Sequence, residues 1–196
     1  MMSSKLINTK TRILDVTWNL LENGDKTVRM SDIAKAAGIS RQALYLHFPN
    51  RAELLVATTR HIDVVKNVDA RLARSRSATS GVERLHAFIE GWGGYIPEIH
   101  GMSVALRAMC NSDTEAAAAW NDRMQAVRHG CEAAIHAISE DGFLTDGLTT
   151  VTATDLLWTL LSVENWERLV RECGWSQLAY EQTLKKTAEA TLISRT

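Results

Sequence analysis

Within seven residues the chain carries a guanidinium, a carboxamide, a phenol and an imidazole: Arg41, Gln42, Tyr45 and His47. Arginine is built to pair in two-pronged fashion with guanine O6 and N7, and glutamine with adenine N6 and N7. Hydroxyl and imidazole groups suit phosphate oxygens, contacts that fix register rather than read sequence. The expectation is that Arg41, Gln42 and Tyr45 lie nearest the bases. Ser40, Tyr45, His47 and Arg51 would hold phosphates, and Arg29 is a further phosphate candidate. Such chemistry works only if one rigid element presents these groups on one side.

The flanking residues supply that element. Met30, Ile33, Ala34 and Ala37 recur at helical spacing and predict an amphipathic helix over 30–37. Gly38 follows it, where the chain needs a positive φ that glycine adopts without steric cost. Ser40 is placed to cap the next helix, whose Leu44 and Phe48 are four apart and face inward. Pro49 ends that helix, because the residue before a proline is pushed out of the helical region. A short helix, a glycine turn and a second helix with Arg, Gln, Tyr and His outermost form a helix-turn-helix. The competing reading is a helical hairpin inside an ordinary all-α core.

The run Ile33-Ala34, Ala37-Gly38-Ile39-Ser40, Leu44-Tyr45, His47-Phe48, Asn50-Arg51 and Leu54 resembles the tetracycline-repressor (TetR) family of bacterial transcription regulators, and the likeness covers about residues 5–60. Two positions depart from the family pattern. Arg51 stands where lysine is commonest, which keeps the charge. Arg29 stands where Ser or Thr commonly caps, which weakens the cap. The resemblance implies an all-α fold: a three-helix head over 1–50, with Lys10 near the DNA backbone, and a ligand-binding and dimerisation body over 51–196. It also implies a homodimer on a palindromic operator in double-stranded DNA, most often a repressor released by a small-molecule effector. A DNA-binding module of the same fold without an inducer is the alternative.

Composition agrees with a helical, DNA-facing chain. Prolines occur only at 49 and 97 of the 196 residues, and no run alternates apolar and polar as a half-buried strand would. The net charge of -1 hides a gradient: residues 1–60 hold nine Lys/Arg against five Asp/Glu, so the head is basic and the remainder acidic. Cys110, Cys131 and Cys173 are odd in number and far apart, with neither disulfide nor metal spacing. No signal-peptide pattern opens the chain and no apolar run spans a bilayer, so no membrane partner and a cytoplasmic location are expected. Neither a Gly-x-Ser-x-Gly turn nor a phosphate loop occurs, so the expectation is no enzyme and no cofactor.

About nine helices are expected from the spacing of apolar residues and breakers. The first spans 6–23 and ends at Asn23-Gly24-Asp25, and another runs from Arg51 to Arg74 behind the Asn50 cap. Arg51 in its first turn opposes the helix dipole unless an anion is held there. A polar loop covers 74–81, and Val82–Ile96 is a helix with Gly91, Gly93 and Gly94 around Trp92. Short helix 101–109 and long helix 113–139 follow, and two helices over 149–172 and 176–193 close the chain. The effector is expected beside Trp92, Tyr95, Met102, Arg107, Trp120, Met124 and Trp158. The dimer interface is expected at Leu156, Leu160, Leu184, Ala188 and Leu192. His129, Glu132 and His136 share a helix face and read as a solvated face rather than a metal site.

Overall fold

The computed structural model describes residues 2–24 and 28–194, with side chains from residue 8 onward. Asp25 of the predicted turn lies outside the described residues. All the regular structure described is helical, apart from one isolated antiparallel bridge between Leu144 and Ile193. The helices are α1 (Met2–Glu22), α2 (Met30–Ala36), α3 (Arg41–His47), α4 (Arg51–Val65), α5 (Val68–Arg76), α6 (Gly81–Gly93), α7 (Ile96–Met109), α8 (Thr114–Glu140), α9 (Thr150–Leu160), α10 (Val163–Trp166) and α11 (Gln177–Leu192). Among the described residues no helix is long and apolar enough to cross a membrane. The chain forms two compact units: Met1–Lys66 with Ile99–Met124, and Asn67–Glu98 with Gln125–Thr196.

In the first unit, Ile13, Thr17 and Leu21 of α1 are fully buried, as are Ile33, Leu44, Leu54 and Leu55 of the next three helices. The turn between α2 and α3 shows why Gly38 is there. It sits at φ +65°, the Gly38 amide donates to the Lys35 carbonyl, and the Ile39 amide donates to the Ala34 carbonyl. These two bonds satisfy carbonyls that the end of α2 leaves orphaned. Ser40 Oγ accepts from the Ala43 amide at 3.1 Å, and Asn50 Oδ1 accepts from the Glu53 amide at 2.8 Å, so α3 and α4 start where their caps place them.

The same unit laces α4 to the first part of α8 with charge. Arg51 Nη1 donates to Asp113 Oδ2 at 2.5 Å, Arg60 Nη2 to Asp122 Oδ1 at 3.0 Å, and Arg123 Nη1 to Asp63 Oδ2 at 2.5 Å. The donors sit on both helices, so the pairing is reciprocal. Arg51 and Arg123 are buried, which makes those two pairs costly to break on one side only.

The second unit is built on close approach. A Cβ on Gly81 would lie 2.4 Å from the Ile138 backbone, one on Gly130 2.2 Å from the Phe88 ring, and one on Gly91 2.9 Å from Leu72. These glycines admit α8 and α5 against α6, so Gly91 is a packing glycine. Leu85, Phe88, Ile89 and Trp92 form the buried side of α6, and Tyr180, Leu184, Ala188 and Leu192 that of α11. The Trp166 indole N–H donates to Gln177 Oε1 at 2.8 Å, and Gln177 Nε2 donates to the Gly93 carbonyl at 2.9 Å and to Glu181 Oε1 at 2.7 Å. One carboxamide thus ties α10, α6 and α11 together.

Three boundaries differ most from the sequence reading, while α5 also runs to Arg76 into the loop expected over 74–81 and α6 ends at Gly93 rather than Ile96. The helix expected over 51–74 breaks after Val65, because Asn67 takes the left-handed conformation at φ 55° and starts α5. Asparagine is among the few residues that enter this region readily. The helix expected over 149–172 stops at Leu160: Ser162 caps α10, and Asn165 Nδ2 donates back to the Thr159 carbonyl at 2.7 Å. A π-helical turn, Glu167–Glu172, then carries the chain to Gly174. Pro97 falls in the first turn of α7, where its missing N–H costs nothing, so this helix starts earlier than position 101.

Candidate nucleic-acid interface

Helix α3 buries only Leu44 among its own residues, and Phe48 behind it is 3% exposed. At 3.6 residues per turn, Arg41, Tyr45, Gln42 and Leu46 follow one another over an arc of about 140° on the opposite side. All four are exposed, while Ala43 and His47, which lie between Leu46 and Leu44 around the helix, are half-buried. The three residues expected nearest the bases are therefore brought together on the exposed side of α3. The sequence reading did not single out Leu46, which shares the arc and is 88% exposed.

Ser40 is exposed at the head of α3, and its oxygen is used by the cap, which leaves the hydroxyl hydrogen to donate outward. Arg29 is exposed at the N-cap position of α2 and makes no side-chain cap. The Lys10 ammonium lies 5.4 Å from the Phe48 ring centroid, a cation–π contact that holds it beside the end of α3.

Arg51 stands apart from this group. Its Nε donates to the Val28 carbonyl at 2.7 Å, its Nη1 to Asp113, and Glu115 Oε2 is 3.5 Å away. The anion that offsets its position at the N-terminus of α4 is thus a carboxylate of the chain itself. Asp113 also serves α8, its Oδ1 accepting from the Glu115 and Ala116 amides at 3.1 Å each. Burial raises the pKa of this carboxyl, but the Ala116 amide and the Arg51 guanidinium outweigh that and hold it below the ordinary aspartate value. A phosphate role for Arg51 would require this arrangement to open.

The residues expected around an effector fall in both units. Trp92, Tyr95 and Trp158 belong to the second; Met102, Arg107, Trp120 and Met124 belong to the first. Trp92 and Tyr95 meet edge to face with centroids 6.1 Å apart, and the Trp92 indole N–H donates to the Leu161 carbonyl at 2.8 Å. Both are buried, as is Met102, while Arg107, Trp120, Met124 and Trp158 are partly exposed. A groove of about 610 Å³ lies along α4 between Lys10, His47, Arg60 and Val64, and none of those seven residues lines it.

Of the expected dimer residues, Leu156 is 40% exposed and Leu160 half-buried. Leu184, Ala188 and Leu192 are buried inside their own chain. Val151 at 62% and Leu178 at 64% are exposed apolar residues on α9 and α11 that the sequence reading missed. Neither continues the apolar stripe of its helix, so periodicity gives no signal for them. His129 is exposed, and the His136 imidazole is 4.0 Å from Glu132, both at the surface. Burial pushes the Cys131 thiol up to about 12, which makes it a poor thiolate source.

The capped α2–turn–α3 unit with its polar outer arc defines a helix-turn-helix protein. Residues 13–58 match the profile of the bacterial regulatory proteins of the tetR family. Sequence comparison with characterised proteins gives no significant match. Solved structures share the fold at low identity. A protein from Saccharomonospora viridis in complex with choline is 21% identical, with TM-score 0.72 over 96% of this chain and 99% of that one. The regulator FadR from Bacillus subtilis, in complex with stearoyl-CoA, is 15% identical, with TM-score 0.71 over 90% and 96%. NalD, the secondary repressor of the MexAB-OprM multidrug efflux pump in Pseudomonas aeruginosa, is 20% identical, with TM-score 0.67 over 96% and 98%. Residues 13–58 thus carry the tetR-family signature, and the chain as a whole shares the fold of these solved structures.

Proposed function

We propose that the chain is a homodimeric repressor that binds a palindromic operator through α3 of each protomer and is released from it by a small-molecule effector. The observation that carries this reading is the exposed arc of Arg41, Gln42 and Tyr45 on a helix anchored by Leu44 and Phe48. Arg41 and Gln42 read bases, and Ser40, Tyr45, His47 and Arg29 hold phosphates. Two such helices read one DNA face when they lie about 34–36 Å apart, which requires a dimer. The exposed apolar residues Val151, Leu156 and Leu178 supply the surface for the partner copy.

An effector acts by favouring a dimer whose reading helices are wrongly spaced, and the choline and stearoyl-CoA complexes of proteins with this fold support a ligand-responsive body. The commitment of the Trp92 N–H to the Leu161 carbonyl instead favours the reading without an inducer. The two are separated by enriching duplexes from a random pool and measuring their affinity with and without choline or stearoyl-CoA. An effector must oppose DNA by the same factor that DNA opposes it, typically about 5–150-fold.

On the enriched duplex, Arg41→Ala and Gln42→Ala are each expected to cost about 1–3 kcal/mol, with much smaller losses on a scrambled duplex. Equal losses on both duplexes would make the residue a phosphate contact only. Failure to enrich any sequence would refute the regulator reading.

A further inference from the structure

We propose that Leu46 is a specificity residue that reads the C5-methyl group of a thymine in the operator half-site; this rests on the DNA-reading role of α3 proposed above. A leucine alone on a surface is ordinary. Leu46 is distinguished by where it stands. It is 88% exposed, the most exposed large apolar side chain among the described residues. It lies about 160° around α3 from fully buried Leu44, so it cannot serve the helix's own packing. It is one turn beyond Gln42, and these two flank the part of the helix farthest from the core.

The chemistry then follows from what a major groove offers. Arg41 and Gln42 match hydrogen-bonding base edges, whereas a leucine has neither donor nor acceptor. The apolar feature a major groove presents to such a side chain is the thymine methyl group. Leu46 packed on that methyl excludes water from both, and cytosine, which lacks the methyl and offers an amino donor, gains nothing there. The half-site therefore contains a thymine beside the base that Gln42 reads.

The test uses the intact protein and a synthetic duplex matching the sequence it enriches from a random pool, with each thymine of one half-site changed in turn to deoxyuridine. That change removes one methyl and leaves every hydrogen-bonding group in place. One position is expected to lower wild-type affinity about fourfold, the worth of one buried methyl group. Leu46→Ala is expected to bind the thymine duplex more weakly by at least that factor and to be indifferent to the swap. Leu46→Met, which keeps an apolar side chain of similar reach, should restore part of the sensitivity. Because Leu46 is outside the core, both variants should melt at the wild-type temperature. Wild-type binding insensitive to deoxyuridine at every position would overturn the proposal, as would a deoxyuridine effect that persists undiminished in Leu46→Ala. If no sequence is enriched at all, the DNA-reading role fails first and this assignment with it.

Discussion

Helices α3 and α11 each carry a stripe that the sequence assigns to an external partner, and the fold treats the two stripes oppositely. On α3 the stripe is polar, and Arg41, Gln42 and Tyr45 remain exposed. On α11 the stripe is apolar, and Leu184, Ala188 and Leu192 are buried in their own chain. The difference is thermodynamic. A polar side chain on a helix surface is already satisfied by water, so nothing in the chain competes for it. An apolar stripe is claimed by the first surface that removes it from water, and α6 and α9 are available before any second copy arrives. Periodicity marks which residues leave water but not whose surface they meet.

Charge placed on the two kinds of apolar position breaks or sharpens this contrast most strongly. Leu184→Glu puts a carboxylate where the side chain is 5% exposed, and a loss of about 4 kcal/mol or more is expected, enough to unfold many domains. Leu156→Glu, at 40% exposure, should change monomer stability by no more than about 0.5 kcal/mol while shifting the protein to a monomer. Thermal melts followed by circular dichroism, with sedimentation of each variant, separate the two. A well-folded monomeric Leu184→Glu would mean that the α11 stripe faces the partner after all.

Arg51 is the counter-example within the first unit, a charged residue that turned inward. A guanidinium so close to the reading helix is indistinguishable in sequence from a phosphate ligand, because its partners Asp113 and Val28 are 62 and 23 residues away. Local signals were readable: the Gly38 turn, the Ser40 and Asn50 caps and the Pro49 stop fix the reading unit to within a residue. Breaks set by one side chain were harder to read. Asn67 and Ser162 each interrupt an apolar pattern that continues across them. The effector residues were the least legible, since the burial of Trp92 and Tyr95 suits a packed core as well as a ligand wall.

Removing one side of the Arg51–Asp113 pair gives the next largest effect. Arg51→Ala or Asp113→Ala is expected to cost about 2–3 kcal/mol, less than for a wholly buried pair because the Asp113 side chain is 25% exposed. The double variant should cost less than the sum of the two singles. The Asp113 pKa is lowered on folding, so its contribution is present above the unfolded value of about 3.9 and disappears as pH falls through the lower folded value. The stability gap between wild type and Asp113→Asn should therefore be constant near neutrality and narrow only below about pH 4. A gap that narrows between pH 5 and 7 would show that another group controls the pair. If Arg51→Ala instead leaves stability unchanged and weakens binding to all DNA, the arginine leaves Asp113 for phosphate.

The smallest effect compares two serines that do the same local work in the two units. Ser40 Oγ accepts from the Ala43 amide at 3.1 Å, and Ser176 Oγ accepts from the Ala179 amide at 3.1 Å. Both are exposed, and each caps the helix that carries one of the two contrasted stripes. Replacement by alanine should therefore cost about 1 kcal/mol of stability in either case. Their effects on DNA should part. Ser40 keeps a hydroxyl hydrogen free for a phosphate, at the end of α3 that presents Arg41. Ser40→Ala should weaken binding to specific and scrambled duplexes alike, whereas Ser176→Ala should leave both affinities at the wild-type value. Ser40→Gly, which restores most of the cap but supplies no hydroxyl, tells the two roles apart: stability should return to within a few tenths of a kcal/mol while DNA affinity stays low. If affinity returns with stability, Ser40 serves DNA binding only by holding α3 in shape, and the phosphate contact must come from the other exposed donors.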